Sequence, residues 1–84
     1  MLIIGIKDKL VNKFVDYIPG VSVPVVKRYL SNMAKTPNKS IYFSNPEDFE
    51  VYSLCEINEE TGDSTANCTL VCSMSELANE VQVQ

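Results

Sequence analysis

Three cysteines and eleven carboxylates are the side chains of this 84-residue chain most suited to nucleophilic, metal-binding or acid–base work. None of them is placed for it. The chain contains no histidine, so Cys55, Cys68 and Cys72 lack the base that usually activates a thiol nucleophile. Their spacing does not give the paired C-x-x-C knuckles of a zinc site. An odd number of thiols fits reduced, strand-borne apolar residues better than a disulfide framework. The carboxylates Glu47 with Asp48, and Glu59 with Glu60, are adjacent in sequence, and adjacent side chains on strands or turns face apart. Capping and turn roles account for them more simply. Gly5, Gly20 and Gly62 are too scattered to build a phosphate-cradling loop. The expectation is a protein that is not an enzyme and uses no metal or cofactor.

What remains is electrostatic. All seven basic residues (Lys7, Lys9, Lys13, Lys27, Arg28, Lys35 and Lys39) fall in the first 39 positions, against only Asp8 and Asp16. Residues 40–84 carry nine carboxylates and no base, and the net charge is −4. Such division points to a charged partner or to self-association. In one reading the basic set contacts the phosphates of a nucleic acid, with Tyr42 or Phe43 offering a ring for a base to stack on. In a blander one these are solvated surface residues. A pI near 4.6 opposes strong non-specific DNA binding unless the two charge types are segregated by more than a Debye length, ~8 Å. A further reading is a protein-interaction module. The basic segment of one copy meets the acidic segment of its twin across a two-fold axis, or the acidic surface recruits a basic protein.

The elements that would position these residues follow from periodicity. Leu2–Ile6 is a short β-type apolar run, read as a strand buried on both faces, with Lys7–Lys13 as an exposed connection. Phe14–Ile18 reads as a second strand stopped by Pro19-Gly20. Residues 23–35 form the best helix. Ser22 can cap it, Pro24 is tolerated in its first turn, and Val25, Val26, Tyr29, Leu30 and Met33 make one apolar stripe. Ser40–Phe43 is expected to be a short strand or extended link. Ser44 and Glu47 match a capping box around Pro46, so one tight turn should precede a strand over Phe49–Ile57, with Phe49 packed on Tyr29, Leu30 and Met33. Asn58–Asp63 is turn chemistry with Gly62 available for positive φ. Thr65–Cys72 is the partner strand, and Ser73 with Glu76 forms a second capping box before a short terminal helix. Residues 81–84 are expected to fray.

The order β-β-α-β-β predicts a single α+β domain over 1–84: an antiparallel sheet of about four strands, one covering helix and a short C-terminal helix. A chain this small has a thin core, and an exposed edge such as Leu2–Ile6 would invite pairing with another copy, which favours a homodimer. No apolar run approaches the ~18 residues of a membrane span. The opening residues are too few for a secretion signal, so a cytosolic location is expected.

Several of these segments, taken in order, resemble a known family. They are the first strand followed by Asp8, then Pro19, then Val26-Lys27-Arg28-Tyr29-Leu30, then Pro46-Glu47-Asp48-Phe49-Glu50-Val51-Tyr52, Ile57 and Glu60-Thr61-Gly62. The chain is similar over residues 3–63 to the small non-structural protein of gokushovirus-type Microviridae, tailless phages with circular single-stranded DNA. Leu54-Cys55-Glu56 departs from the Ile-Gly commoner there, and the segment after Gly62 matches nothing in that pattern. The resemblance implies a non-structural accessory protein in the host cytoplasm, acting in genome replication or the switch to packaging. Single-stranded DNA binding is implied only by analogy.

Overall fold

The computed structural model describes residues 1–34 and 41–83. Four strands, β1 (Leu2–Asp8), β2 (Lys13–Gly20), β3 (Phe49–Ile57) and β4 (Ser64–Ser73), form one antiparallel sheet in the order β2-β1-β3-β4. Helix α1 (Val23–Ala34), a single helical turn α2 (Ile41–Ser44), a 3-10 turn (Pro46–Asp48) and helix α3 (Met74–Val83) are the other elements among the described residues. The α+β class and the four-stranded antiparallel sheet are as expected.

The layers follow from alternation. Ile4 and Ile6 of β1, Phe49 and Val51 of β3, and Cys72 of β4 form a core with Val26 and Leu30 of α1, Phe43 of α2, and Met74 and Leu77 of α3. The helices therefore cover one face of the sheet. Gly20 lies on that face, where an added Cβ would stand 2.4 Å from Val26 Cγ2, so α1 packs directly on the end of β2. The intervening residues Ile3, Gly5 and Lys7 point to the other face.

Several expectations need correcting. β1 lies inside the sheet between β2 and β3, so Leu2–Ile6 is not an edge. Pro19 and Gly20 do not stop β2 but form its last pairs, opposite Ile3 and Leu2; β2 is itself an edge strand, where proline is tolerated. The buried stripe of α1 is narrower than read: Val26 and Leu30 are buried and Met33 half-buried, whereas Val25 and Tyr29 are exposed. Phe49 is buried as expected, but its ring contact is Tyr42, with centroids 5.0 Å apart and planes at 79°. Residues 41–44 are helical, not extended. Asn45, not Ser44, holds the N-cap position of the 3-10 turn, and its side chain makes no cap bond. The thiols are not uniformly apolar core: Cys72 is buried, Cys55 half-buried and Cys68 exposed. Residues 81–83 continue α3, and Gln84 lies outside the described residues.

Local chemistry succeeded elsewhere. Ser73 Oγ accepts the Glu76 amide at 3.2 Å, the bond foreseen for the second capping box. Asn58 Oδ1 accepts the Glu60 amide at 2.9 Å, and Gly62 takes φ +81°. Glu59, Glu60 and Asp63 are thereby held on an exposed turn.

Candidate nucleic-acid interface

The face of the sheet opposite the helices carries three aromatic rings and a lysine. In β1, Gly5 lies opposite Tyr17 and Lys7 opposite Phe14, while Ile6 between them pairs with Asp16. Val15 is therefore an extra residue, a bulge that turns Phe14 and Tyr17 to the same face although they are three apart. On the other flank Gly5 lies opposite Tyr52 of β3. Gly5 makes room for this cluster. A Cβ there would sit 2.6 Å from Leu54 Cδ1 and 2.9 Å from Phe14 Cδ1, so both side chains close over the bare central backbone.

The rings form a connected row. Phe14 meets Tyr52 edge to face at 5.4 Å, and Tyr17 lies 6.5 Å from Phe14 at a shallow 31°. The Lys7 ammonium stands 5.9 Å from the Phe14 centroid and 5.8 Å from that of Tyr52. Such contacts hold a lysine head in place for ~0.5–1 kcal/mol at exposed sites. Tyr17 is 59% exposed. The Tyr52 hydroxyl donates to Glu50 Oε1 at 3.3 Å. Desolvation and then the Glu50 carboxylate raise the Tyr52 phenol above its usual value, which keeps it a donor.

The charge pattern is partly segregated. The N-terminal strands β2 and β1 form one half of the sheet and β3 and β4 the other. The antiparallel pairing of β1 with β3 puts the turn after Asp8 and the turn after Ile57 at opposite ends, so Lys9 and Lys13 are far from Glu59, Glu60 and Asp63. Segregation fails locally. Glu50 stands opposite Lys7, and the Lys9 amide donates to the Asp48 carbonyl at 2.8 Å, which brings the acidic 3-10 turn beside the lysines.

The residues picked from sequence do not form one surface. Lys7 is on the open face; Lys9 and Lys13 are exposed at the end of the β1–β2 hairpin. Half-buried Lys27 and exposed Arg28 belong to α1, in the layer on the other side of the sheet. Lys35 and Lys39 lie outside the described residues. Tyr42 is engaged within the helical layer: its hydroxyl donates to Asp16 Oδ2 at 2.8 Å and its ring packs on Phe49. Burial, then the bond to Asp16, pushes its phenol up to about 12. Phe43 is buried. The rings that do face outward, Phe14, Tyr17 and Tyr52, were not singled out in the sequence. Strict alternation separates Phe14 from Tyr17, and only the bulge reunites them.

The family model described as Phage ORF5 protein matches residues 1–77. The chain belongs to that family. It is thus a phage accessory protein. No curated protein and no solved structure matches it. The Phage ORF5 match runs through β4 to the buried Leu77 of α3, and so takes in the segment after Gly62 that the sequence resemblance left unmatched. Among the described residues of this family member, no helix is long and apolar enough to cross a membrane.

Proposed function

We propose that this Phage ORF5 protein binds single-stranded DNA on the open face of its sheet, without catalysing a reaction, in the host cytoplasm. The observation that carries this reading is the Lys7 ammonium set against both the Phe14 and Tyr52 rings on the face opposite the described helices, with Tyr17 exposed beside them. Bases of a single strand stack on such rings irrespective of sequence, each for ~1–3 kcal/mol, while a neighbouring cation meets the phosphates. Duplex DNA keeps its bases stacked inside and cannot use a flat row of rings in this way. The resemblance to gokushovirus-type Microviridae supports a role in genome replication or in the switch to packaging.

Fluorescence anisotropy with a labelled single-stranded oligonucleotide tests the reading. Micromolar binding at low salt, weakened by Tyr17→Ala and by Lys7→Gln, is the expected result. Absence of binding at micromolar protein in low salt contradicts it.

A second reading, self-association or docking of another protein, is favoured by β4. This sheet edge is ten residues long and has neither charge nor proline, and Ser64 to Leu70 are all exposed. Such edges pair readily with another strand, although the two register shifts in β4 interrupt its ladder. Ala66→Lys would place a charge on that edge. Under this reading a homodimer, seen by sedimentation as twice 9.4 kDa, dissociates in that variant. A 9.4 kDa species at every concentration contradicts the homodimer.

A further inference from the structure

The turn joining β1 to β2 holds a feature that the aromatic row does not use. Leu10 and Val11 sit at its tip, 77% and 56% exposed, between Lys9 and Lys13. Turn tips ordinarily present polar residues, and this tip is held in a defined shape. The Leu10 amide donates to Asp8 Oδ1 at 2.9 Å, Asn12 adopts φ 58°, and the Lys9 amide is tied to the Asp48 carbonyl. Two apolar side chains are thus held out in water by a braced loop, with a cation on either side.

We propose that this tip is a wedge: Leu10 and Val11 insert against or between bases of a bound single strand while Lys9 and Lys13 contact its phosphates. The inference rests on the single-stranded DNA reading above and adds to it a second contact site. Apolar side chains inserted between the base steps of a duplex partially unstack them, and the wedge asks the same of neighbouring bases in a single strand. Position favours a nucleic acid over a lipid surface. The Lys7–Phe14 pair is one pair before the closing pair of Asp8 with Lys13, so the tip begins within ~7 Å of the aromatic row along the strand. One strand can therefore touch both. A lipid surface is engaged by a larger apolar face, usually that of a whole amphipathic helix. The carboxylates of Asp8 and of Glu47 and Asp48 in the 3-10 turn stand at the same end of the sheet and oppose a polyanion. Charge alone is thus insufficient there, and apolar contact with bases must supply part of the attraction.

The test uses the full chain and a single-stranded oligonucleotide of roughly 16 nucleotides carrying 2-aminopurine, which brightens when its neighbours unstack. Wild type is compared with the double variant Leu10→Ser, Val11→Ser. Both sites are exposed, and circular dichroism checks that the variant is folded. The expected result is that wild type binds and brightens the probe, whereas the double variant binds at least about fivefold more weakly, the lower end for losing one base contact, and leaves the probe dim. Equal affinity and equal brightening in both proteins would overturn the wedge and leave the single-stranded DNA reading standing. Failure of wild type to bind the oligonucleotide at all removes that underlying reading, and the wedge with it. Binding to phosphatidylserine vesicles that the double variant loses, with oligonucleotide binding unaffected, would assign the tip to lipid and overturn the proposal.

Discussion

Phe14 and Tyr17 share one face of the sheet, 6.5 Å apart, although they stand three positions apart in the chain. Strand alternation puts residues three apart on opposite faces. The extra residue Val15 shifts the phase by one, and the register against β1 passes from Ile6–Asp16 to Lys7–Phe14 without it. A single bulge thus brings both rings to the side of the sheet that carries Lys7.

Gly5 is what lets the row close. Its missing side chain leaves the space that Leu54 and Phe14 occupy. Gly5→Ala forces a contact at 2.6 Å with Leu54 and 2.9 Å with Phe14, and overpacking of this kind costs ~1–3 kcal/mol. Urea denaturation measures it. An unchanged midpoint would show that both side chains can step aside.

Phe49 anchors the other face. It is 4% exposed and meets Tyr42 edge to face. Phe49→Ala is expected to cost about 3–5 kcal/mol, the usual loss for a buried aromatic truncated to a methyl. A cost under about 1 kcal/mol would mean the site collapses without a cavity, at odds with this packing.

Tyr42 and Asp16 predict an alkaline limit. The folded protein titrates the Tyr42 phenol at about 12 rather than 10.0, so the folded state holds that proton more tightly than the unfolded chain. The resulting stability is whole below pH ~10 and is lost as pH rises through about 12. Tyr42→Phe loses the bond to Asp16 and should be less stable than wild type near neutrality, and the gap should narrow above pH ~10 as the wild-type phenol begins to ionise. Denaturation midpoints of the two proteins near pH 8 and pH 11 decide the matter. A constant difference would contradict it.

Much of this was legible in the sequence where the signal is local. The Ser73 cap, the positive φ of Gly62, the helix over residues 23–34 and the strand from Phe49 each depend on neighbours along the chain. What depends on distant partners was not. Which strand lies inside the sheet is decided by β3 pairing with β1, so the apolar run of Leu2–Ile6 gave its burial but not its neighbours. The α1 stripe was read too wide because Val25 and Tyr29 have the right spacing, yet the sheet and α3 reach only Val26, Leu30 and Met33. Tyr42 looked available beside a charged segment, and its bond to Asp16 joins residues 26 apart. The shared face of Phe14 and Tyr17 is hidden from the sequence because a bulge is a property of paired strands, not of either one, and Tyr52 joins them only through the pairing of β3 with β1.

The proposed DNA contact is the centre of the account, and its position can be observed residue by residue. Amide shifts of the isotopically labelled protein, followed by NMR while a single-stranded oligonucleotide is titrated in, report where the strand lies. The account predicts the largest changes at Lys7, Phe14, Tyr17 and Tyr52, with Lys27 and Arg28 of α1 little affected. Changes confined to α1, or none anywhere at saturating oligonucleotide, would contradict it.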